Sequence, residues 1–338
     1  MPQINGVVRT LSTIRAEMEA MGHTVEVLGP DRFRTMACPT YPDIRLSLFP
    51  RRRLARFIEN FAPDALHIAT EGPLGLAARA WARRRGCAFT TAFHTRFAEY
   101  VQARTGIPTA PLYAWLRRFH GAGQGMMVAT ASLREELARR GFGHLRAWSR
   151  GVDLDLFRPD EREAWEWPRP IFLYVGRVAV EKNIGAFLDL DLPGTKIVVG
   201  GGPQLAALRR AYPDAVFTGP RTGAALARAY AGADVFVFPS LTDTFGLVLL
   251  EALACGTPVA AYDVTGPRDV LAGAAGPIGA VDTDLRRAAL AALEGDRAAC
   301  RAHAERFSWR SCAEMFLSHL VPLGGHPPLR RGAAPDPL

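Results

Sequence analysis

Two carboxylates, Asp243 and Glu251, stand eight positions apart in a stretch that is otherwise mostly apolar or small. The run from Leu247 to Cys255 is apolar on every side except at Glu251, and a helix that is apolar all round is a buried helix. A buried carboxylate is costly unless something hydrogen-bonds to it, so its partner is either an arginine of the core or the hydroxyls of a ligand. Because eight helical positions span about 12 Å, one ligand could reach both carboxylates, with a sugar near Asp243 and a ribose near Glu251.

The residues ahead of this run are suited to begin a helix on a phosphate. Thr242, Asp243 and Thr244 are good N-cap types, and Gly246 lets a ligand or another backbone come close. Free N–H groups and the helix dipole attract phosphate at such an end. With the apolar run Val235–Phe238 before it, the segment is predicted as strand, loop, buried helix and a second strand.

This segment resembles the acidic signature of the retaining family 4 glycosyltransferases, which have the GT-B fold and whose pattern is a carboxylate, seven residues and a glutamate. The resemblance implies that Glu251 binds the ribose hydroxyls of a nucleotide sugar. Asp243 stands where the family usually has glutamate, and it would hold hydroxyls of the donor sugar as a catalytic contact with a shorter side chain. The donor-binding residues that the resemblance implies in this segment are Thr244, Phe245, Gly246, Leu247, Val248 and Glu251.

A pair of cations, Arg177 and Lys182, follows the predicted strand Ile171–Val175. Ligands bind at strand ends in open α/β sheets, and Gly176 permits a close approach there. The two cations either lie on an ordinary solvated loop or clamp a diphosphate leaving group, whose growing negative charge they would stabilise without a metal. Their order and spacing match the diphosphate-binding pair of the resembled family, so both are predicted to be catalytic.

Further candidates follow predicted strands of the first half. His94 is a structural histidine or, as in similar enzymes, a catalytic contact to the donor sugar from the opposite wall of the cleft. Glu71 and Gly72 follow another strand and could touch the acceptor, as could Arg96.

Backbone contacts to the donor are expected at three more positions. Asn5 and Gly6 begin the first predicted helix and could offer N–H groups to the phosphate, where similar enzymes often have two adjacent glycines. Gly219 lies where a GT-B enzyme flanks the nucleobase. Similar enzymes also have an apolar first strand ahead of the loop at residue 5, and we expect the true start of the protein to lie upstream of Met1.

Composition limits the class of protein. The 338 residues are enough for two domains, and 49% hydrophobic with 22% charged residues is typical of a globular protein without a membrane-spanning run. The five cysteines are scattered and form no CxxC pair, which favours a reduced, cytoplasmic protein without structural zinc. Three DxD spacings could bind a metal in the other glycosyltransferase architecture, but we predict no metal and no cofactor beyond the nucleotide sugar as co-substrate. They are Asp153–Asp155, Asp189–Asp191 and Asp282–Asp284.

Positive charge is concentrated in the first half. The net charge is +8, yet residues 1–150 hold 22 arginines, no lysine and only 11 acidic residues. Anionic lipid, nucleic acid or a phosphorylated substrate could each be attracted. Apolar residues interleave with the clusters Arg51–Arg53 and Arg117–Arg118, which favours an interfacial surface, and no nucleic-acid module is recognised. We therefore expect an anionic membrane surface as a partner, at the inner face of the membrane, and no nucleic acid.

Apolar strands alternate with helical segments in both halves, which predicts an α/β protein with two parallel, Rossmann-like sheets. The resemblance implies that they face each other across a cleft. Val25–Leu28 is predicted as a strand of the first sheet, and Arg158–Pro170 as the linker between domains. The predicted boundaries are 1–157 for the first domain, 158–306 for the second, a returning helix at about 307–321 and a disordered tail at 322–338.

Within the family, the chain resembles most closely the enzymes that attach mannose, glucose or sulfoquinovose to lipids. The segments that carry this likeness are Thr70–Leu74, Phe93–Tyr100 and Thr242–Leu247. The expected activity is metal-independent, retaining hexosyl transfer from GDP-mannose or a UDP-sugar to a lipid or glycan. The alternatives are a GT-B epimerase or hydrolase, which would release nucleotide without an acceptor, and a non-catalytic basic binding protein.

Overall fold

The computed structural model describes residues 6–38 and 41–324. The chain forms two compact units, of which unit 1 comprises Met1–Trp148 and Ala313–Leu338 and unit 2 comprises Ser149–Cys312. The first unit therefore ends at residue 148 rather than at 157. The predicted linker 158–170 belongs to unit 2, where Glu163 pairs with Arg221 at 3.1 Å.

Unit 1 contains an antiparallel hairpin and a parallel sheet. The hairpin strands are β1 (Thr35–Cys38) and β2 (Tyr41–Ser47), and the sheet strands are β3 (His67–Ile68), β4 (Thr90–Phe93), β5 (Gly125–Val128) and β6 (Leu145–Ala147). The sheet order is β3-β4-β5-β6. The helices are α1 (Gly6–Ala20), α2 (Arg51–Phe61), α3 (Pro73–Arg85), α4 (Phe97–Thr105), α5 (Thr109–His120) and α6 (Ala131–Arg139). Strands β4 and β5 are buried along their whole length, as expected for strands covered by helices on both faces.

The predicted strand Val25–Leu28 is wrong. These residues have no regular structure, although Leu28 packs against the core around Trp81 and Phe89. A strand needs a hydrogen-bonding neighbour, and β3, which pairs only with β4, forms the edge of the sheet within the described residues. Residues 25–28 therefore keep their apolar contacts without joining the ladder.

Unit 2 is built on one six-stranded parallel sheet. Its strands are β7 (Ile171–Val175), β8 (Thr195–Val199), β9 (Val216–Gly219), β10 (Val235–Phe238), β11 (Val259–Tyr262) and β12 (Gly279–Asp282). The sheet order is β12-β11-β10-β7-β8-β9. Along the chain, β8 and β9 are added on one side of β7, and β10, β11 and β12 then follow on its other side. The gap between β7 and β10 is the topological switch point, where ligands of open α/β sheets bind.

Helices cover both faces of this sheet. They are α7 (Ile184–Leu188), α8 (Leu205–Ala211), α9 (Gly223–Gly232), α10 (Leu247–Ala254), α11 (Thr265–Leu271), α12 (Leu285–Ala291) and α13 (Arg297–Ala304). Helix α10 ends just before Gly256, which adopts the left-handed φ of +72° that commonly follows the last turn of a helix. The last helix, α14 (Trp309–His319), begins in unit 2 and ends in unit 1.

The chain after α14 is held on unit 1 as far as the structure describes it. Leu323 donates its N–H to the carbonyl of Asp64 at 2.8 Å and accepts from the N–H of Ala88 at 2.7 Å. Leu323, in the predicted tail, is thus hydrogen-bonded, its neighbour Pro322 forms an isolated β-bridge with Ala65, and 325–338 lie outside the described residues. Among the described ranges, no helix is both long and apolar enough to span a membrane.

Candidate active site

The loops that follow β7 and β10 are joined by an ion pair. The Lys182 ammonium donates to both carboxylate oxygens of Asp243, at 2.6 and 2.8 Å. The two side chains are 23% and 15% exposed, so a ligand entering at the switch point can still reach them. The Asn183 amide also donates to the Pro239 carbonyl at 3.1 Å. The structure therefore brings together the predicted leaving-group cation and the predicted sugar contact.

The backbone around Arg177 is closely packed. The Tyr174 hydroxyl donates to the Arg177 carbonyl at 2.9 Å, and a Cβ on Gly176 would lie 2.8 Å from that hydroxyl. A Cβ on Gly200 would overlap the Gly176 carbonyl oxygen. Burial raises the pKa of Tyr174, which keeps its hydroxyl protonated and donating. The loop that carries Arg177 is thus fixed at the end of β7.

Helix α10 does not begin as predicted. Its N-cap is Gly246, with φ +87° and no side-chain capping bond, so residues 242–244 are not the cap. Leu247 and Val248 form the first turn with no acidic residue, which leaves the positive end of the helix uncompensated by a local carboxylate. Thr244 is buried, and the Phe245 ring packs edge-on against Phe307.

Glu251 lies in the middle of α10 and is 3% exposed. The Tyr230 hydroxyl, on α9, donates to its Oε2 at 2.9 Å. The partners of this carboxylate include Tyr230, which the sequence analysis did not select. Burial, with the Glu251 charge as a smaller cause, raises the pKa of the neighbouring Cys255 thiol to about 12.

The end of β9 is open. Gly219 has φ +81°, and a Cβ added there would meet no atom within 4 Å. The glycine is therefore required by its backbone conformation and not by crowding, and the backbone beside it is available to a flat group.

In unit 1, His94 follows β4, and its ring lies edge-on against Trp148 with centroids 5.5 Å apart. Gly6 is the exposed first residue of α1, and its carbonyl accepts from the Thr10 hydroxyl at 2.8 Å. Asn5 lies outside the described residues.

The predicted acceptor contact Arg96 is buried and bound to protein carboxylates. Its guanidinium donates to both oxygens of Glu136, at 3.0 and 2.6 Å, and lies 3.6 Å from Glu99. The Tyr113 hydroxyl donates to Glu99 at 2.6 Å. Through these carboxylates, the Arg96 guanidinium links the start of α4 to α6.

The predicted acceptor contact Glu71 has a different environment. Its Oε1 lies 3.1 Å from Nε2 of His120, a buried histidine that sequence reasoning did not select. The other ring nitrogen of His120 lies 2.9 Å from the Thr91 hydroxyl. Gly72, which follows Glu71, is the N-cap of α3 and forms no side-chain capping bond.

At least one aspartate of each DxD spacing accepts a hydrogen bond from the protein, which for Asp189 comes from the Tyr212 hydroxyl at 2.6 Å. Asp153 Oδ1 accepts from the backbone N–H groups of Asp155 and Leu156, and Asp282 pairs with Arg287 at 2.7 Å. Within the described ranges, no cluster of three or more His, Cys, Asp or Glu side chains is arranged to hold a metal ion.

Comparison with known proteins gives the class. The model of Glycosyltransferase Family 4 matches residues 4–156, and that of Glycosyl transferases group 1 matches residues 169–294. The structure resembles sucrose-phosphate synthase from Thermosynechococcus elongatus, with a TM-score of 0.69 and 20% identity over 93% of this chain and 92% of that one. It also resembles HepE from Anabaena in complex with UDP and glucose, with a TM-score of 0.65 and 12% identity over 94% and 96% of the two chains.

Relatives with known activity are more similar in sequence. GDP-mannose-dependent alpha-mannosyltransferase of Mycolicibacterium smegmatis is 33% identical over 303 residues, covering 80% of each chain. The enzyme of that name from Mycobacterium tuberculosis is 32% identical, covering 80% of this chain and 79% of the relative. Sulfoquinovosyl transferase SQD2 of Arabidopsis thaliana is 32% identical over 70% of this chain and 50% of its own.

The matched families and these relatives make this protein a glycosyltransferase, and its two units, each built on a parallel sheet, have the GT-B fold. The chain belongs to glycosyltransferase family 4, as its sequence predicted.

Proposed function

We propose that the protein transfers mannose from GDP-mannose to a lipid or glycan acceptor and retains the anomeric configuration. The observation that carries the proposal is the Lys182–Asp243 pair, which sets a cation and a hydroxyl-binding carboxylate side by side at the switch point of the sheet. The choice of GDP-mannose is supported by two relatives that match about 80% of this chain and are GDP-mannose-dependent alpha-mannosyltransferases.

The donor would lie along the carboxyl ends of β7 and β10. Arg177 and Lys182 bind the diphosphate, together with the backbone N–H groups at the start of α10 near Leu247, which no side chain caps. Glu251 takes the ribose hydroxyls, with Tyr230 holding the carboxylate in place. Asp243 takes a hydroxyl of the sugar.

The chemical step we propose is a same-face displacement. The bond from the sugar C1 to the diphosphate oxygen breaks, the acceptor oxygen attacks from the same side, and the departing phosphate accepts the acceptor proton. Negative charge grows on the diphosphate, so Arg177 and Lys182 stabilise the transition state more than the ground state. This charge compensation is what we propose in place of a metal. His94 would contact the sugar.

An exposed surface of unit 1 supports an acceptor in a membrane. Phe49 is 96% exposed and has a left-handed φ of +47°, an uncommon conformation for a bulky residue. Its neighbour Leu48 is also exposed, and after the buried Pro50 the exposed Arg51, Arg52 and Arg53 begin α2. We call Leu48, Phe49 and the three arginines the β2–α2 surface. Exposed apolar side chains beside cations are suited to an anionic bilayer, because the Phe49 ring can enter its apolar region while the arginines pair with its headgroups.

The function is tested by incubating the protein with a panel of GDP- and UDP-sugars, with and without extracted bacterial membrane lipid. We expect lipid-dependent release of GDP from GDP-mannose, undiminished by EDTA. Release without lipid would instead support the hydrolase or epimerase alternative, and loss of turnover in EDTA would overturn the metal-free step. A protein that binds none of the donors would be the basic binding protein.

Membrane binding by the β2–α2 surface is tested by flotation of the protein with vesicles that contain anionic lipid. Phe49→Ser and the Arg51–Arg53 triple change to Gln should each weaken binding. A matched control is the change of Arg83 and Arg84, exposed at the end of α3, to Gln, which removes charge elsewhere on the same unit. Equal losses in the control would mean that net charge alone attracts the vesicles.

A further inference from the structure

His120 is a buried titratable group that the proposed reaction leaves unused. Its side chain is 2% exposed and lies among the rings of Phe93, Phe119 and Phe142, with centroids 5.1 to 6.2 Å away. A polar ring in such surroundings needs partners for both nitrogens. It has them in Thr91 on one side and Glu71 on the other.

The direction of these hydrogen bonds follows from the chemistry of the partners. An ionised carboxylate only accepts, so Nε2 carries the proton and donates to Glu71 Oε1. In a neutral imidazole, Nδ1 then accepts from the Thr91 hydroxyl. Thr91 lies on the central strand β4, so the ring is anchored to the core of the sheet.

Only one oxygen of Glu71 is used in this way. Oε2 accepts no hydrogen bond from the described residues, and the side chain is 14% exposed. The backbone is fixed as well, since a Cβ on Gly75 would overlap the carbonyl oxygen of Thr70. Glu71 is therefore held rigidly at the carboxyl end of β3 with one acceptor oxygen left for a ligand.

We propose that His120 is a positioning residue, which aims the free oxygen of Glu71 at the hydroxyl group of the sugar acceptor. The inference rests on the proposed transferase function and assigns the acceptor a hydroxyl-bearing headgroup, since a carboxylate recognises hydrogen-bond donors. Glu71 binds and orients the acceptor, and His120 acts through it. Arg96, by contrast, donates to both carboxylate oxygens of Glu136.

The test compares two readouts in the full-length protein. One is transfer of mannose from GDP-mannose to vesicles of extracted bacterial lipid, and the other is the Kd for GDP-mannose without lipid. Glu71→Gln and His120→Leu should each lower kcat/KM for the lipid by roughly 10- to 100-fold, the range for a lost hydrogen bond to a charged group, and His120→Leu should leave the Kd for GDP-mannose unchanged. His120→Gln, whose amide can still donate to Glu71, should retain most of the activity.

A double variant separates positioning from a general structural role. If His120 acts through Glu71, adding His120→Leu to Glu71→Gln should cause no further loss. Thr91→Val, which removes the hydroxyl that holds the ring, should cause a smaller loss that also vanishes in the Glu71→Gln background, and it serves if His120→Leu does not fold.

The outcomes are distinguishable. Unchanged kcat/KM in folded His120→Leu or Thr91→Val, or a loss that persists in the Glu71→Gln background, overturns the positioning role while the transferase function stands. If the unaltered protein neither transfers mannose nor releases GDP, the proposed function fails and this inference fails with it.

Discussion

Truncation of Lys182 tests the charge stabilisation on which the proposed reaction depends. A unit cation about 4 Å from a unit anion is worth about 4 kcal/mol at an effective dielectric constant of about 20. Asp243 already neutralises part of that charge at 2.6 Å, and the ammonium is 23% exposed. Halving the interaction for these two effects leaves about 2 kcal/mol in the transition state, or about 30-fold in rate.

Lys182→Ala should therefore lower kcat by about 30-fold, while KM for GDP-mannose changes by less than about threefold, because charge on the leaving group is greater in the transition state. The assay is steady-state GDP release in the presence of lipid. The only other lysine of the chain gives a matched control. Lys196 lies on β8 and donates to the Leu188 carbonyl at 2.5 Å, so Lys196→Ala should leave kcat unchanged.

Two results would refute this reasoning. One is a kcat that does not change in Lys182→Ala, which would make the Lys182–Asp243 pair a purely structural tie between loops. The other is a rise in KM that accounts for the whole loss in kcat/KM, which would mean that the lysine binds ground state and transition state equally.

Three other predictions concern the same unit. Glu251→Ala should weaken donor binding by about 100-fold, the value of two lost hydrogen bonds to a charged group, and unchanged affinity in a calorimetric titration would remove this residue from the site. Gly200→Ala should lower the free energy of unfolding by roughly 3 kcal/mol or more, because the added Cβ would overlap the backbone of Gly176. A denaturant midpoint equal to that of the unaltered protein would contradict this packing. Burial raises the pKa of the Cys255 and Cys300 thiols to about 12, so at pH 8 both remain protonated and should react with a thiol reagent only after unfolding; rapid labelling of the native protein would show that they are accessible.

Apolar runs made the second sheet easy to predict. Residues 171–175 and 235–238 coincide with the observed β7 and β10, because a strand buried on both faces leaves a continuous apolar signal. The hairpin of β1 and β2 was not predicted, since Thr35–Ser47 mixes arginine, proline and aspartate with its apolar residues and its strands are only partly covered. Val25–Leu28 had the right pattern but pairs with no strand among the described residues, which no local signal reveals.

The candidate site, like the fold, could be predicted from the sequence only in part. The charged candidates were selected from their types and positions after strands, but their partners in the structure were not predicted. Tyr230 lies 21 residues from Glu251, and His120 lies 49 residues from Glu71. Such pairs form only after helices pack on the sheet, so sequence spacing contains no trace of them. The start of α10 was missed for a related reason, since a glycine in a left-handed conformation capped the helix in place of a hydroxyl or carboxylate side chain.

The two sheets differ in how their site residues are held, and this difference is functional in the proposed reaction. At the switch point of unit 2, Lys182 and Asp243 hold each other, so a donor must exchange their mutual ion pair for its own diphosphate and hydroxyl contacts. In unit 1, Glu71 is held by His120, a histidine of the core that no substrate needs to displace. Part of the free energy of donor binding is therefore used to separate the Lys182–Asp243 pair, whereas Glu71 already has the position that the proposed acceptor contact needs. An enzyme arranged in this way discriminates at the donor through charge and orients the acceptor through a fixed geometry.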